Sequence, residues 1–516
     1  METSAAKDQR TLASASSDSI RWQLDAGMNL WIGESISIGD STASVAAGLV
    51  YNTPLDVKHP AGSSQPIFAN FSDASRFIRV DAADDADVSA AMVLMGSTPG
   101  QFTVPLTAEV RFYEGVDQGV PAWTWKFPPS SAWYVEGGGV RVSDDGETVV
   151  AWWSDFDSGL VELVGFNRSG SEIARMYVNP TSGSFTSAQA VEMSDAGDRI
   201  LISGRDKVVV FDVANNRGLH WDSPTLRSIR DIAFAGDGKS YAVSLDTHLE
   251  IWKEDPDGIW RPYGTVSVPF EHRGGPMAMN HDGGRLAFCM QRLSFTGFEI
   301  GLLEVNGMTE YFRTVMEEPA TSLQLYADDM EIDDAGERIA VASWGDMNHT
   351  TPEGFVLDAT GQILLELRTS GSAFDIDLDP TGQVVALATK VTHANLAAAG
   401  GSVLVADVIE PGLRVLGYPE LNGSVTLEIP GKYRKAQLAI AKRLGDSLTP
   451  FGISQLDLHS VVRQVGPMDI PPSGLMTTIE LPSQSYFMGT LLHLQAAVED
   501  QMGTHLSNRV SIRLLP

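Results

Sequence analysis

The chain has almost no cysteine: one, Cys289, in 516 residues. No intrachain disulfide can form, and the flanking run "RLAFCMQ" reads as a buried, inert thiol rather than a nucleophile. No apolar run approaches the roughly 20 residues that a membrane-spanning helix needs. The opening "METSAAKDQRTLASASSDS" has neither the basic nor the apolar region of a signal peptide and reads as a disordered tail over 1–20. Either the chain is cytoplasmic or a leader has been removed. Positive charge is also scarce, with 36 Lys+Arg against 66 Asp+Glu and a formal net charge of -30. Such a surface repels phosphate backbones and anionic lipid, which excludes nucleic acid as the expected partner. Motifs for local chemistry are missing too: no GxSxG elbow, HExxH, CxxC, P-loop or strand–GxGxxG–helix occurs. "EGGGV" at 136–140 precedes a strand and reads as a connection.

What is plentiful is glycine, 49 residues, without low complexity. It belongs to a recurring phrase. The copies are "VRVSDDGETVVAWW" (Gly146), "VEMSDAGDRILISG" (Gly197), "IAFAGDGKSYAVSL" (Gly238), "MAMNHDGGRLAFCM" (Gly283), "MEIDDAGERIAVAS" (Gly336) and "IDLDPTGQVVALAT" (Gly382), at intervals of 51, 41, 45, 53 and 46 residues. A degenerate copy, "FANFSDASRFIRVD", puts Ser75 at the glycine position. In each copy apolar residues alternate before the turn, as Met330 and Ile332 do, which is strand periodicity. Asp and Gly then supply the turn, and a second apolar strand follows. Third and fourth strands come after, as in "VVVFDV" and "ATGQILLELRT". Four antiparallel strands per 40–50 residues make one propeller blade, and a blade needs neighbours to bury both faces.

The phrase resembles the S-x-D-G hairpin of bacterial WD-repeat-like propellers over about residues 60–410. The Trp-Asp dipeptide of true WD repeats is mostly missing, with Phe211-Asp212 nearest. The tryptophan-docking repeat of quinone-dependent dehydrogenases is not seen. The resemblance implies a fold and almost nothing about activity. Six clear copies and the degenerate one lead us to expect an all-β, seven-bladed propeller over 21–410, with six or eight blades left open. The last copy stops at its third strand, "SVLVADV". A strand from "MNLWIGESISI" is the expected closing element, since closure removes exposed sheet edges.

After "IEPG" the phrase ends and the charge changes. From Pro411 onward there are nine basic and eight acidic residues, which leaves 27 and 58 in the first 410. Runs such as "SVTLEIP" and "KAQLAIAK" between Pro/Gly turns lead us to expect a small β-sandwich over 411–516. The ending "GTLLHLQAAVEDQMGTHLSNRVSIRLLP" is similar to C-terminal β-domains on exported proteins of planctomycete-type bacteria. That resemblance implies an extracellular or cell-envelope location.

In a propeller the phrase turns lie on one face, and the loops between second and third strands lie on the other with the blade connections. Those second loops are the expected binding platform. Trp344, Asp346, His349 and His393 form the leading cluster, an aromatic surface beside polar groups suited to a glycan or peptide. Trp133, Tyr134, Glu271, His272, Arg273 and His248 add to the same face. The competing reading makes them solvated loop residues. Seven positions before the turn glycine stand Asp231, Asp329 and Asp375, a ring of carboxylates suited to Ca²⁺ or another hard cation. The competing reading has each bonded to backbone. The acidic stretch "DAADDADVSA" (81–90) is expected to be a solvated loop.

Three functions follow from this surface. One is a non-enzymatic exported binding or surface-assembly protein, engaging a protein, peptide or glycan. Another is a propeller hydrolase, lactonase or lyase with a metal or His/Asp centre at the channel mouth. The third is an intracellular WD-type scaffold.

Overall fold

The structure, a computed structural model, describes the residues outside 1–19, 26–31, 39–44, 51–54, 59–66, 71–74, 84–87, 96–106, 115–119, 129–137, 156–159, 179–189, 205, 223–227, 318–323, 347–350, 362, 397–399, 409–413, 417–423, 430–432, 442–443, 450–451, 457–460, 472–473, 481–490, 500–503 and 514–516. The chain forms two compact units. One comprises Ala69–Val408 with Met1–Asp40 and Val45–Asp56, and the other Ile409–Pro516 with Ser41–Ser44 and Val57–Phe68.

The first unit is a β-propeller. Each phrase copy starts a four-stranded antiparallel sheet; in the Gly283 blade the strands are His272–Met279, Arg285–Arg292, Gly297–Glu304 and Thr309–Glu317. Second and third strands are apolar on both faces because each blade is packed between two others. Val384–Lys390 and Gly401–Asp407 are buried at every position. The core accordingly lies between blades. Ala287, Cys289 and Ile300 of the Gly283 blade share one cluster with Met330, Val341 and Phe355 of the Gly336 blade. Burial pushes the Cys289 thiol well above its usual range, so it stays a protonated core atom.

The phrase itself is a blade coupler. Three residues before the glycine, a Ser, Asn or Asp side chain accepts the backbone N–H two residues after it. The pairs are Ser143 with Thr148 (2.9 Å), Ser194 with Arg199 (3.0 Å), Asn280 with Arg285 (2.7 Å), Asp333 with Arg338 (3.0 Å) and Asp379 with Val384 (2.6 Å). The glycines take positive φ, from 64° to 70°. Gly197, Gly238, Gly283, Gly336 and Gly382 also abut the preceding blade: a Cβ on Gly336 would lie 2.6 Å from Arg285 Cδ, and one on Gly382 2.7 Å from Arg338 Cδ. Backbone bonds then run from turn to turn, Asp144 N–H to Asp195 O, Asp195 N–H to Gly236 O and Asp237 N–H to His281 O. The arginine two residues after the glycine donates to the next turn's carbonyl, as Arg199 does to Gly238 (2.9 Å) and Arg285 to Gly336 (2.8 Å).

Three sequence expectations change. Ser75 is not a turn residue: Ser75–Ala82 is itself a first strand, paired with Val88–Met95. Of the stretch 81–90, Asp81–Ala82 and Val88–Ala90 are strand, with Ala82, Ala83 and Val88 buried rather than solvated, and residues 84–87 lie outside the described residues. The strand closing the Gly382 blade is Ile20–Asp25, paired antiparallel with Gly401–Asp407, and not one from 28–38. Ile32–Ile38 instead pairs with Val45–Val50 as a two-stranded sheet. It joins the ring through side chains: Ile36 and Ile38 N–H donate to Asp375 and Asp377 (2.6 Å each), while Ser35 and Ser37 accept from Val80 (3.2 Å) and Ala82 (3.1 Å). Among the described residues the ring therefore holds seven four-stranded sheets and this hairpin. The sequence favoured seven blades; the extra member has no Asp-Gly turn to mark it.

In the second unit, a four-stranded sheet ordered Val461–Asp469, Lys435–Ala441, Leu491–Glu499, Thr504–Arg513 and a three-stranded sheet of Arg414–Leu416, Ser424–Ile429 and Leu475–Glu480 contribute to one apolar cluster. Leu427 and Ile429 from the smaller sheet meet Leu438, Leu494 and Val498 from the larger.

Candidate functional site: an aromatic ladder and an acidic channel

Three blades bring their second-face loops and connections together around a row of rings. Phe295 lies in the loop after Arg285–Arg292, Tyr326 in the connection before Ala327–Ile332, Trp344 in the loop after Arg338–Ser343, and His393 in the loop after Val384–Lys390. Ring centroids are 6.3 Å apart for Phe295–Tyr326, 5.0 Å for Tyr326–Trp344 and 6.2 Å, edge-on, for Trp344–His393. The backbones beneath are tied in the same order. Leu325 N–H donates to Phe295 O (2.8 Å) and Trp344 N–H to Tyr326 O (2.8 Å). Ser372 Oγ then donates to Trp344 O (2.7 Å) and accepts Ala394 N–H (2.8 Å). Fully buried Gln291 fixes the first rung, donating to Gly297 O (3.0 Å) and Leu325 O (2.8 Å). Phe295 has φ of 58°, a conformation that a bulky residue keeps only when its surroundings impose it.

Arg273 caps the row. Its guanidinium lies 4.8 Å from the Phe295 ring centroid and 5.6 Å from that of Tyr326. Its buried Nε has no hydrogen-bond partner among the described residues. Beside the row, Phe270 is 97% exposed, Leu293 53% and Leu396 40%. Leu293 N–H donates to Glu271 O (2.8 Å) and Leu396 N–H to His393 O (2.8 Å), so these apolar side chains rim the ladder.

Of the residues expected on this face, the structure thus joins Trp344, His393 and Arg273. His393 is buried, its Nε2 paired with Gln324 O (3.0 Å) and its Nδ1 accepting Asn395 N–H (3.2 Å); burial holds its pKa down and the ring neutral. Asp346 is buried and accepts Thr351 N–H (2.8 Å), so it shapes its own loop. His248 is engaged by Glu250 (2.7 Å) and Thr247 (2.9 Å). His272 is buried on a first strand, 3.3 Å from Glu299. His349, Trp133 and Tyr134 lie outside the described residues. Phe295, Tyr326, Phe270, Leu293 and Leu396 were missed: each is an ordinary apolar residue in its own loop, and only the fold aligns them.

The second feature is the channel along the ring axis, about 550 Å³, lined by first strands. Asp231, Asp329 and Asp375 do lie on it, and each reaches the next first strand: Asp231 accepts Met277 N–H (2.8 Å), Asp329 Ile376 N–H (3.0 Å) and Asp375 Ile36 N–H (2.6 Å). Asp81 does the same with Val142 N–H (2.6 Å). These carboxylates act as braces between neighbouring sheets. Among the described residues no three His, Cys, Asp or Glu side chains gather as a metal-holding set. Strand alternation also aims position five before the glycine inward, which adds Glu192, Glu331 and Asp377. Arg141 bridges Glu192 (2.9 Å) and Asp81 (3.8 Å). Burial raises the Asp81 pKa to about 6 against the pull of Arg141, and that of Asp377 to about 7 against the N–H of Ile38. Burial raises Asp231 and Glu331 well above the usual range too, Glu331 further through Asp377 and Asp329.

No protein-family model matches the chain. No curated protein matches it by sequence. No helix among the described residues is long and apolar enough to cross a membrane. Among solved structures the chain is similar to the C-terminal WD40 domain of Sif2, at 14% sequence identity and a TM-score of 0.49, over 75% of this chain and 98% of that domain.

Proposed function

We propose that this chain is a non-enzymatic binding protein whose propeller presents its second-loop face to a protein or peptide partner. The observation that carries this reading is the set of exposed apolar side chains, Phe270, Leu293 and Leu396, gathered around an ordered aromatic row. Exposed apolar side chains gathered on one loop face support an interaction role on an otherwise polar protein. A rigid ring of blades holds it, so little ordering cost falls on this side of the complex. An exported location rests on the resemblance of the C-terminal sequence alone, and fractionation of the source cells tests it.

The test compares the wild-type chain with the triple variant Phe270→Ser, Leu293→Ser, Leu396→Ser in affinity capture from source-cell extract, read by quantitative mass spectrometry. All three side chains are exposed, so the variant is expected to melt within about a degree or two of wild type. A partner enriched by wild type and lost with the variant supports the reading. An unchanged captured set removes this face from the function.

A further inference from the structure

We propose that the ladder selects an acidic segment: a peptide that places an Asp or Glu carboxylate on Arg273 and lays neighbouring apolar side chains on Phe270 and Leu293. This rests on the reading that the second-loop face docks a partner. The argument starts from charge. Several arginines elsewhere in this acidic chain have carboxylates in reach, as in Arg230–Asp246 at 2.7 Å, Arg313–Glu310 at 2.6 Å and Arg261–Asp255 at 2.7 Å, while Arg285 and Arg338 donate to backbone carbonyls of the next turn. Arg273 instead stacks on Phe295 and Tyr326, and no carboxylate among the described residues pairs with it. Ring stacking occupies the flat face of a guanidinium and leaves its in-plane N–H groups for a planar acceptor, which a carboxylate matches in two bonds. The rings also fix the guanidinium in advance, so less side-chain freedom is lost on binding.

The chain's net charge of -30 opposes an acidic ligand at long range. That field is screened beyond about 8 Å at physiological salt, so the contact is decided locally. Position supports the pairing as well. Phe270 and Leu293 flank Arg273 through the Leu293–Glu271 backbone bond, so a segment crossing the cation meets apolar surface alongside it. A basic segment would set its charge against an unpaired arginine.

The experiment is selection of a phage-displayed random peptide library on the full chain, followed by fluorescence anisotropy with the enriched peptides. Expected is a consensus joining Asp or Glu to Leu, Phe or Trp. Arg273→Gln should weaken binding at least about tenfold, as should replacing the peptide's acid by its amide. The two changes together should cost little more than either alone, because they break one contact. Arg273→Lys keeps the charge without the planar stack and should fall between, while circular dichroism melts verify that both variants fold. The proposal is overturned if no peptide is enriched, if the consensus lacks an acid, or if Arg273→Gln binds within twofold of wild type. If the Phe270, Leu293, Leu396 variant abolishes binding and Arg273→Gln does not, the docking face stands and the acidic partner falls. If neither variant matters, both readings fall.

Discussion

At the scale of single residues, the turn glycines do two jobs that can be separated. Gly336 has φ of 67° and would set a Cβ 2.6 Å from Arg285 Cδ and 2.9 Å from its Cβ, whereas Gly258 has φ of 76° with its nearest neighbour at 3.7 Å. Gly258→Ala therefore carries only the cost of a left-handed alanine, about 1 kcal/mol. Gly336→Ala carries that and the displacement of the Arg285 stem, whose guanidinium donates to Gly336 O; we expect about 2–4 kcal/mol. Urea denaturation of both variants measures the difference. Equal losses would mean that the close approach between blades relaxes freely and that the glycine serves φ alone. The aspartates seven positions before the glycine show the limit of residue-level reading. Their shared inward position was legible from the alignment. That each reaches the neighbouring strand of the ring was not, because the acceptor's partner lies 46, 47 or 339 residues away.

At the scale of elements, closure of the ring depends on a six-residue strand. Ile20–Asp25 pairs with Gly401–Asp407 from Ala406 to Ser402 and supplies the fourth strand of the Gly382 blade. In the sequence, "IGESISI" has the cleaner alternation and reads as the better closing strand; it is a strand, but with another partner. Alternation identifies a strand and its two faces, and it carries no information about which distant edge the strand joins. The same limit misplaced the Ser75–Ala82 blade, which the sequence counted but whose turn it set at Ser75 because the true turn has no glycine. A chain shortened to begin after Asp25 should leave the Gly401–Asp407 edge unpaired. We expect a lower urea midpoint and concentration-dependent association in light scattering, since an open, apolar edge recruits further strands. A shortened chain that stays monodisperse with an unchanged midpoint would show that this strand is dispensable for closure.

At the scale of the whole molecule, the propeller was legible because its rule is local and repeated, while the ladder joins residues from 273 to 393 that only the closed ring brings together. The channel is intermediate: its acidity was foreseen at one position per blade, and alternation places a second inward-facing set two residues further on, at Glu192, Glu331 and Asp377. This concentration of carboxylates has a consequence for pH. Asp81 and Asp377 have pKa values raised to about 6 and about 7, from 3.8 for the free side chain. A carboxyl raised on folding holds its proton more tightly in the folded state. Its contribution to stability is full below about pH 4 and is lost as pH rises through the folded value. The His281 imidazole, raised by its bond to Asp195, acts in the same direction. Stability should therefore fall between about pH 4 and pH 7, on the order of a few kcal/mol for the two carboxyls after allowance for their coupling. Asp377→Asn keeps an oxygen for the N–H of Ile38 and removes one buried charge. The variant should be more stable than wild type at pH 8, nearly equal at pH 4, and flatter between them in a series of urea titrations. A wild-type midpoint that rises with pH, or an Asp377→Asn curve parallel to wild type, would mean that water or a bound cation relieves the channel's charge.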